Sequence, residues 1–152
     1  MKKTDRIELK PQTGLGPLKF GMKKEELIGL LGEPDQVFRD PIADDDHTLM
    51  EWNALKLRLT IYEDEGNRFG YIRTKNSNVI YNNHPIIGHP MSVLNQQAFT
   101  KIADEWSVTG YGSWISYFYE DYWLSLNVEY DEVYEIEMGV SFKNDDEFAW
   151  PD

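Results

Sequence analysis

The sequence predicts an α+β domain of two tandem helix-plus-antiparallel-sheet units, each with about four strands, with the helices on one face of the sheet. Three observations predict it. A single offset of 67 residues aligns the two halves without a gap, placing Gly21 on Gly88, Leu27 on Leu94, Trp52 on Tyr119, and Leu57, Leu59 and Ile61 on Leu124, Leu126 and Val128. Each half opens with apolar residues at helical spacing and then changes to strict alternation. Such a change of period marks a helix followed by strands with one face on a core and one in water.

In the first unit, residues 16–76, Leu27, Leu30 and Leu31 stand at i, i+3 and i+4 within a helix from Met22 to Leu31. Gly32 and Pro34 then stop it. Val37-Phe38 reads as a short strand, and Pro41 to His47 as a loop carrying Asp44, Asp45 and Asp46. Strands follow at Thr48–Trp52 and Leu55–Glu63, where Leu55, Leu57, Leu59 and Ile61 alternate with Lys56, Arg58, Thr60 and Tyr62. Asp64-Glu65-Gly66-Asn67 is a hairpin turn, since Gly and Asn accept positive φ, and Phe69 to Lys75 pairs back.

A polar linker separates the units, with Asn76-Ser77-Asn78 and Asn82-Asn83-His84-Pro85 around Val79-Ile80-Tyr81. The second unit, residues 86–142, has Ser92 as N-cap of a helix running to Glu105 or Trp106, with Val93, Leu94, Ala98, Ile102 and Ala103 as its stripe. Its strands fall at Ser107–Tyr111, Trp114–Tyr119, Trp123–Tyr130 and Tyr134–Phe142. Residues 143–152 read as a loose acidic tail.

Composition bounds the function classes. The chain has 27 acidic against 15 basic residues, a formal net charge of −12, which repels nucleic acid and anionic membrane and attracts basic partners. There is no cysteine, so no disulfide, thiolate metal site or cysteine nucleophile. The first ten residues place Asp5, Arg6 and Glu8 where a signal peptide needs its apolar core, which points to a cytoplasmic protein.

Catalytic motifs are missing by type. His47 beside the aspartates lacks the glycine-centred spacing of a calcium loop, and His84 and His89 read as turn residues, so no metal is expected. Gly14-Leu15-Gly16-Pro17 lacks the third glycine of a dinucleotide loop, and no cofactor is expected. Ser113 and Ser116 are in no nucleophile-elbow context, and no spacing singles out a carboxylate pair.

What remains is a surface. Five Trp and nine Tyr exceed what a small core absorbs, and alternation turns Trp123 and Tyr62 away from the core. With Tyr117 and Tyr119 they form an aromatic face rimmed by acids. The rim is Asp44–Asp46, Glu63, Asp64, Glu65, Glu120, Asp121, Asp131 and Glu132, and this set is the candidate partner-binding site.

The segment from Gly16-Pro17-Leu18-Lys19-Phe20-Gly21-Met22 through Leu31-Gly32-Glu33-Pro34 resembles the opening of proteins with the outer-membrane assembly lipoprotein E fold and the β-lactamase-inhibitor-protein fold. It is also similar to the start of small bacterial immunity proteins that neutralise toxins. The chain departs from the first two in having no lipobox cysteine, no signal sequence and no disulfide cysteines. The resemblance implies an immunity protein that blocks a basic, nuclease-type toxin by steric and electrostatic cover. A small-ligand-binding or regulatory domain using the aromatic face is the alternative, and homodimerisation stays open.

Overall fold

The computed structural model describes residues 1–39 and 47–151. The expected α+β class is overturned. The described residues form thirteen strands in two sheets, and helix accounts for 17% of them, too little to cover an eight-stranded sheet. The fold is mostly β.

The larger sheet is built from β4 (Gln36–Arg39), β5 (His47–Trp52), β6 (Leu57–Tyr62), β7 (Arg68–Thr74), β10 (Ser107–Gly110), β11 (Ile115–Tyr119), β12 (Leu124–Glu129) and β13 (Glu132–Gly139). Its order is β10-β11-β12-β13-β7-β6-β5-β4, antiparallel throughout. Two four-strand meanders therefore meet through their last strands, β13 and β7, and run outward in opposite directions.

The smaller sheet is built from β1 (Ile7–Lys10), β2 (Gly14–Leu15), β3 (Leu18–Lys19), β8 (Val79–Tyr81) and β9 (His84–Pro85), in the order β3-β2-β1-β8-β9. Strands of two to four residues are too short to show a period, and the parallel pairing of β1 with β8 is wholly non-local. The supposed linker is thus part of a sheet.

One continuous core joins the two sheets and the helices. The large sheet contributes Leu57, Leu59, Ile61, Phe69 and Ile72 from one unit and Leu124, Leu126, Val128, Ile136 and Met138 from the other. Ile7, Leu9, Leu15, Leu18 and Val79 answer from the small sheet. Helix α1 (Lys24–Leu31) buries Leu27, and α2 (Met91–Gln97) buries Met91 and Leu94.

Gly32, in the left-handed region, ends α1, and Trp52 donates its indole N–H to the Gly32 carbonyl at 3.0 Å. The N-cap position of α2 is Pro90, not Ser92, with no side-chain cap, and the helix is shorter than its stripe suggests. Phe99 leaves helical geometry and sinks into the core between the rings of Tyr81 and Trp106, and a 3₁₀ turn at Thr100–Ile102 follows.

The 67-residue offset holds in the backbone. It carries Lys24 to Met91, the first residues of the two helices, and β6 onto β12 end to end. It carries the bulge between Thr60 and Ile61 onto that between Asn127 and Val128. Lys56 and Trp123, also 67 apart, both hold positive φ, 51° and 48°, as each enters the third strand of its unit.

Residues 141–151 are not loose. They fold back as a small hairpin with Phe142 bridged to Phe148, and the Ala149 N–H donates to the Ser141 carbonyl at 2.7 Å. Phe148 stacks on Tyr62 at 5.4 Å, and the Arg68 guanidinium lies 4.1 Å over the ring of Trp150. Apolar side chains in a short acidic tail are what secure it.

Candidate functional site

Strand register decides which predicted residues share a site. His47 opposes Tyr62, Tyr62 opposes Arg68, and Tyr71 opposes Gly139, so one end of the sheet gathers the Glu63–Asn67 turn, the Glu120–Trp123 turn and the returning tail. Glu129 opposes Glu132, and the turn carrying Asp131 lies at the other end. The acidic clusters therefore divide between two ends and do not form one rim.

The faces divide too. Tyr117 opposes Leu126 and Tyr119 opposes Leu124, which puts both tyrosines on the core side, where they meet the Trp106 ring at 6.5 and 6.3 Å. On the outer face of that strand stand Ser116 and Phe118, opposite Asn127 and Ser125. Tyr62 is on the outer face but buried to 9% exposure, stacked between His47 and Phe148. Burial first, and the nearby Asp64 second, push its hydroxyl far above the ordinary phenol range. Tyr62 is thus unavailable to a partner while the tail is in place. Asp44, Asp45 and Asp46 lie outside the described residues.

The remaining acids of the first unit are partly used. Glu63 accepts a hydrogen bond from the Thr48 hydroxyl and pairs with Arg39 at 3.4 Å. Glu65 lies 3.9 Å from Arg68 and accepts from the Trp150 indole at 3.4 Å, while Asp64 is exposed.

Four of the predicted residues converge. Strand β11 ends at Tyr119 and runs into a 3₁₀ turn, Glu120–Tyr122, closed by the Trp123 N–H donating to the Glu120 carbonyl at 3.0 Å. Trp123 sits at φ 48° and ψ 45°, a left-handed conformation that costs a bulky residue of the order of 1 kcal/mol. The turn is held from three sides. Gln12 Nε2 and the Ser141 hydroxyl each donate to the Asp121 carbonyl at 3.1 Å, and the Tyr119 hydroxyl donates to the Asp121 carboxylate at 3.1 Å.

This strain turns the Trp123 ring over Gly139 and into edge contact with Phe118 at 5.2 Å and Phe142 at 5.1 Å. The result is a cavity of about 570 Å³ walled by Tyr119, Tyr122, Trp123 and Phe142, with Glu120 and Asp121 exposed at its rim. Ring faces beside carboxylates suit a cation, because the ring quadrupole and the carboxylates attract the same charge.

The face holds a second polar centre that the sequence reading passed over. Across four strands runs the row Glu51, Arg58, Arg73, Glu137, each residue directly opposite the next. Arg58 pairs with Glu51 at 2.9 Å and Arg73 with Glu137 at 2.8 Å. Asn127, 1% exposed, donates to Glu135 at 2.9 Å and to Glu137 at 2.7 Å, leaving its own Oδ1 buried without a partner.

Two carboxylates thus converge on Asn127. Burial opposes the ionisation of Glu137, yet the hydrogen bonds from Asn127, Tyr71 and Arg73 outweigh it and hold the carboxyl below its usual range. A group so saturated with donors has no proton to give at neutral pH. The outward alternation of Arg58, Arg73, Glu135 and Glu137 was the signal available for finding this row.

No family model, curated protein or solved structure matches the chain. Its function has to be read from its own chemistry.

Proposed function

We propose that the protein is a non-catalytic inhibitor that neutralises a basic protein, a nuclease-type bacterial toxin, by seating a lysine or arginine of that protein in the Trp123 cavity. The observation that carries this reading is the cavity itself: four aromatic walls, two exposed carboxylates, and a strained backbone that holds the central ring in place. A preset ring loses little side-chain freedom on binding, which is how a few aromatic anchors come to dominate an interface. The chain's net charge of −12 would speed encounter with a basic partner.

A cavity of about 570 Å³ also falls in the range of small-ligand sites, which favours a free organic cation as the second reading. The test pairs wild type with Trp123→Ala and Glu120→Gln against a basic partner recovered from the native host. Trp123→Ala is expected to raise the dissociation rate at least tenfold. Glu120→Gln should slow association mainly at low salt, since the screening length falls from about 10 Å at 0.1 M to about 3 Å at 1 M. A complex indifferent to both substitutions and to salt would refute the proposal. A thermal upshift with free arginine alone would favour the second reading.

A further inference from the structure

The duplication places a second cavity where the first predicts one, and its chemistry is inverted. Residues 51–53, 56–58 and 73–75, with Glu135, line a groove of about 350 Å³ at the opposite end of the sheet. The same offset takes Trp52 to Tyr119, Asn53 to Glu120, Lys56 to Trp123, Thr74 to Ser141 and Lys75 to Phe142. The framing hydrogen bonds are related but not identical: Thr74 donates its hydroxyl to the Lys56 carbonyl at 2.8 Å, whereas Ser141, its offset equivalent, donates to the Asp121 carbonyl at 3.1 Å, two positions before the equivalent of Lys56. Where one repeat carries acids and aromatic rings, the other carries Lys56, Arg58, Arg73 and Lys75.

We infer that this groove is an oxyanion site, recognising a carboxylate or phosphate group through Lys56, Lys75 and the N–H donors of Arg58 and Arg73 that their carboxylate partners leave free. Four cations stand against three carboxylates, the lining Glu51 and Glu135 and the Glu137 that pairs with Arg73, so the groove is net positive by one in a chain of net charge −12. Neither lysine is paired with a carboxylate among the described residues; Lys75 lies only near the Tyr134 ring, at 5.7 Å. Arg58 and Arg73 stand directly opposite each other, a like-charge pair that a sheet tolerates poorly. Glu51 and Glu137 flank the pair on its outer sides, and Glu135 lies 4.0 Å from Arg73, so three carboxylates share the two arginines. The arginine side chains are 36% and 43% exposed, and a guanidinium has five N–H donors, more than these contacts consume.

The site stands on the groove's own residues and does not depend on the cation cavity. One source of the group is a free small anion; the other is an acidic side chain of a bound protein. The test titrates ¹⁵N-labelled full chain with inorganic phosphate and, separately, with a glutamate-rich peptide, at constant ionic strength made up with chloride.

Saturable amide shifts are expected at Lys56, Arg58, Thr74 and Lys75 and not at Lys2, Lys3 or Lys101. The double variant Lys56→Asn, Lys75→Gln should weaken binding at least tenfold while melting as wild type does, because Asn accepts the left-handed conformation that Lys56 holds. Glu120→Gln should leave the titration unchanged. Saturation by phosphate alone assigns a free anion, and saturation by the peptide alone assigns a protein-borne carboxylate. Failure of both probes, shifts scattered over all lysines, or a double variant that still binds as wild type would overturn the inference.

Discussion

Replacing Gly139 by alanine tests whether the Trp123 ring is held by packing across the strand beside it. A methyl group there would sit 2.8 Å from Trp123 Cδ1 and 2.9 Å from Tyr71 Cδ2, where ordinary carbon contacts lie at about 3.5–4.0 Å. Both close atoms belong to rings, so relief requires moving a whole ring by more than half an ångström. Overpacking of that kind costs about 1–3 kcal/mol, and loss of glycine's unfolded-state freedom returns about 0.4–1 kcal/mol. The net destabilisation is then about 1–2 kcal/mol, or a fall in Tm of about 2–8 °C for a chain of this size.

A double-mutant cycle isolates the cause. Trp123→Gly removes one of the two clashing rings and also relieves the left-handed strain at that position. In that background the alanine should cost less, with a coupling of at least about 0.5 kcal/mol in urea denaturation. Equal cost in both backgrounds, or a neutral single substitution, would show that nothing fixes Trp123 through Gly139. The cavity would then lose its claim to be preset.

Asn127→Asp puts a third carboxylate against Glu135 and Glu137 and should cost about 3 kcal/mol at pH 7. The sign with pH is opposite in the two proteins. In wild type the lowered Glu137 pKa stabilises fully above the ordinary Glu value and is lost as pH falls through the depressed one, whereas the variant is worst at neutral pH and should recover on acidification. Urea midpoints at pH 7 and pH 4 distinguish them, and a deficit unchanged between the two would count against this account. Trp150→Ala removes the Arg68 stacking and the Tyr62 contact and should cost about 2 kcal/mol, with faster hydrogen exchange at Ala149; unchanged exchange would mean the tail is held elsewhere.

Much of the large sheet was legible because burial on one face writes a period-two record, as at Leu57–Leu59–Ile61 and Leu124–Leu126–Val128. The offset of 67 was legible for the same reason in both halves. The small sheet was not, since β2, β3 and β9 have two residues each and pair through contacts distant in sequence. Helix α2 was overextended because Phe99 and Ile102 are apolar at helical spacing yet buried from a 3₁₀ turn.

The site was half legible. Trp123, Glu120 and Asp121 line one cavity, but the faces of Tyr117 and Tyr119 depend on how β11 registers with β12 across a three-residue turn. Alternation within one strand cannot supply that register. The tail was read as loose because the partners of its Phe148 and Trp150, Tyr62 and Arg68, lie some eighty positions upstream.

The seam between β7 and β13, where the two meanders meet antiparallel through Gly139 and Tyr71, has a consequence for folding. A single unit released from its sibling would expose β7 as a bare edge, and the nearest matching edge is the same strand of another molecule. Within the chain, β13 covers that edge. The same geometry makes exchange of halves between chains the natural misfolding route at high concentration.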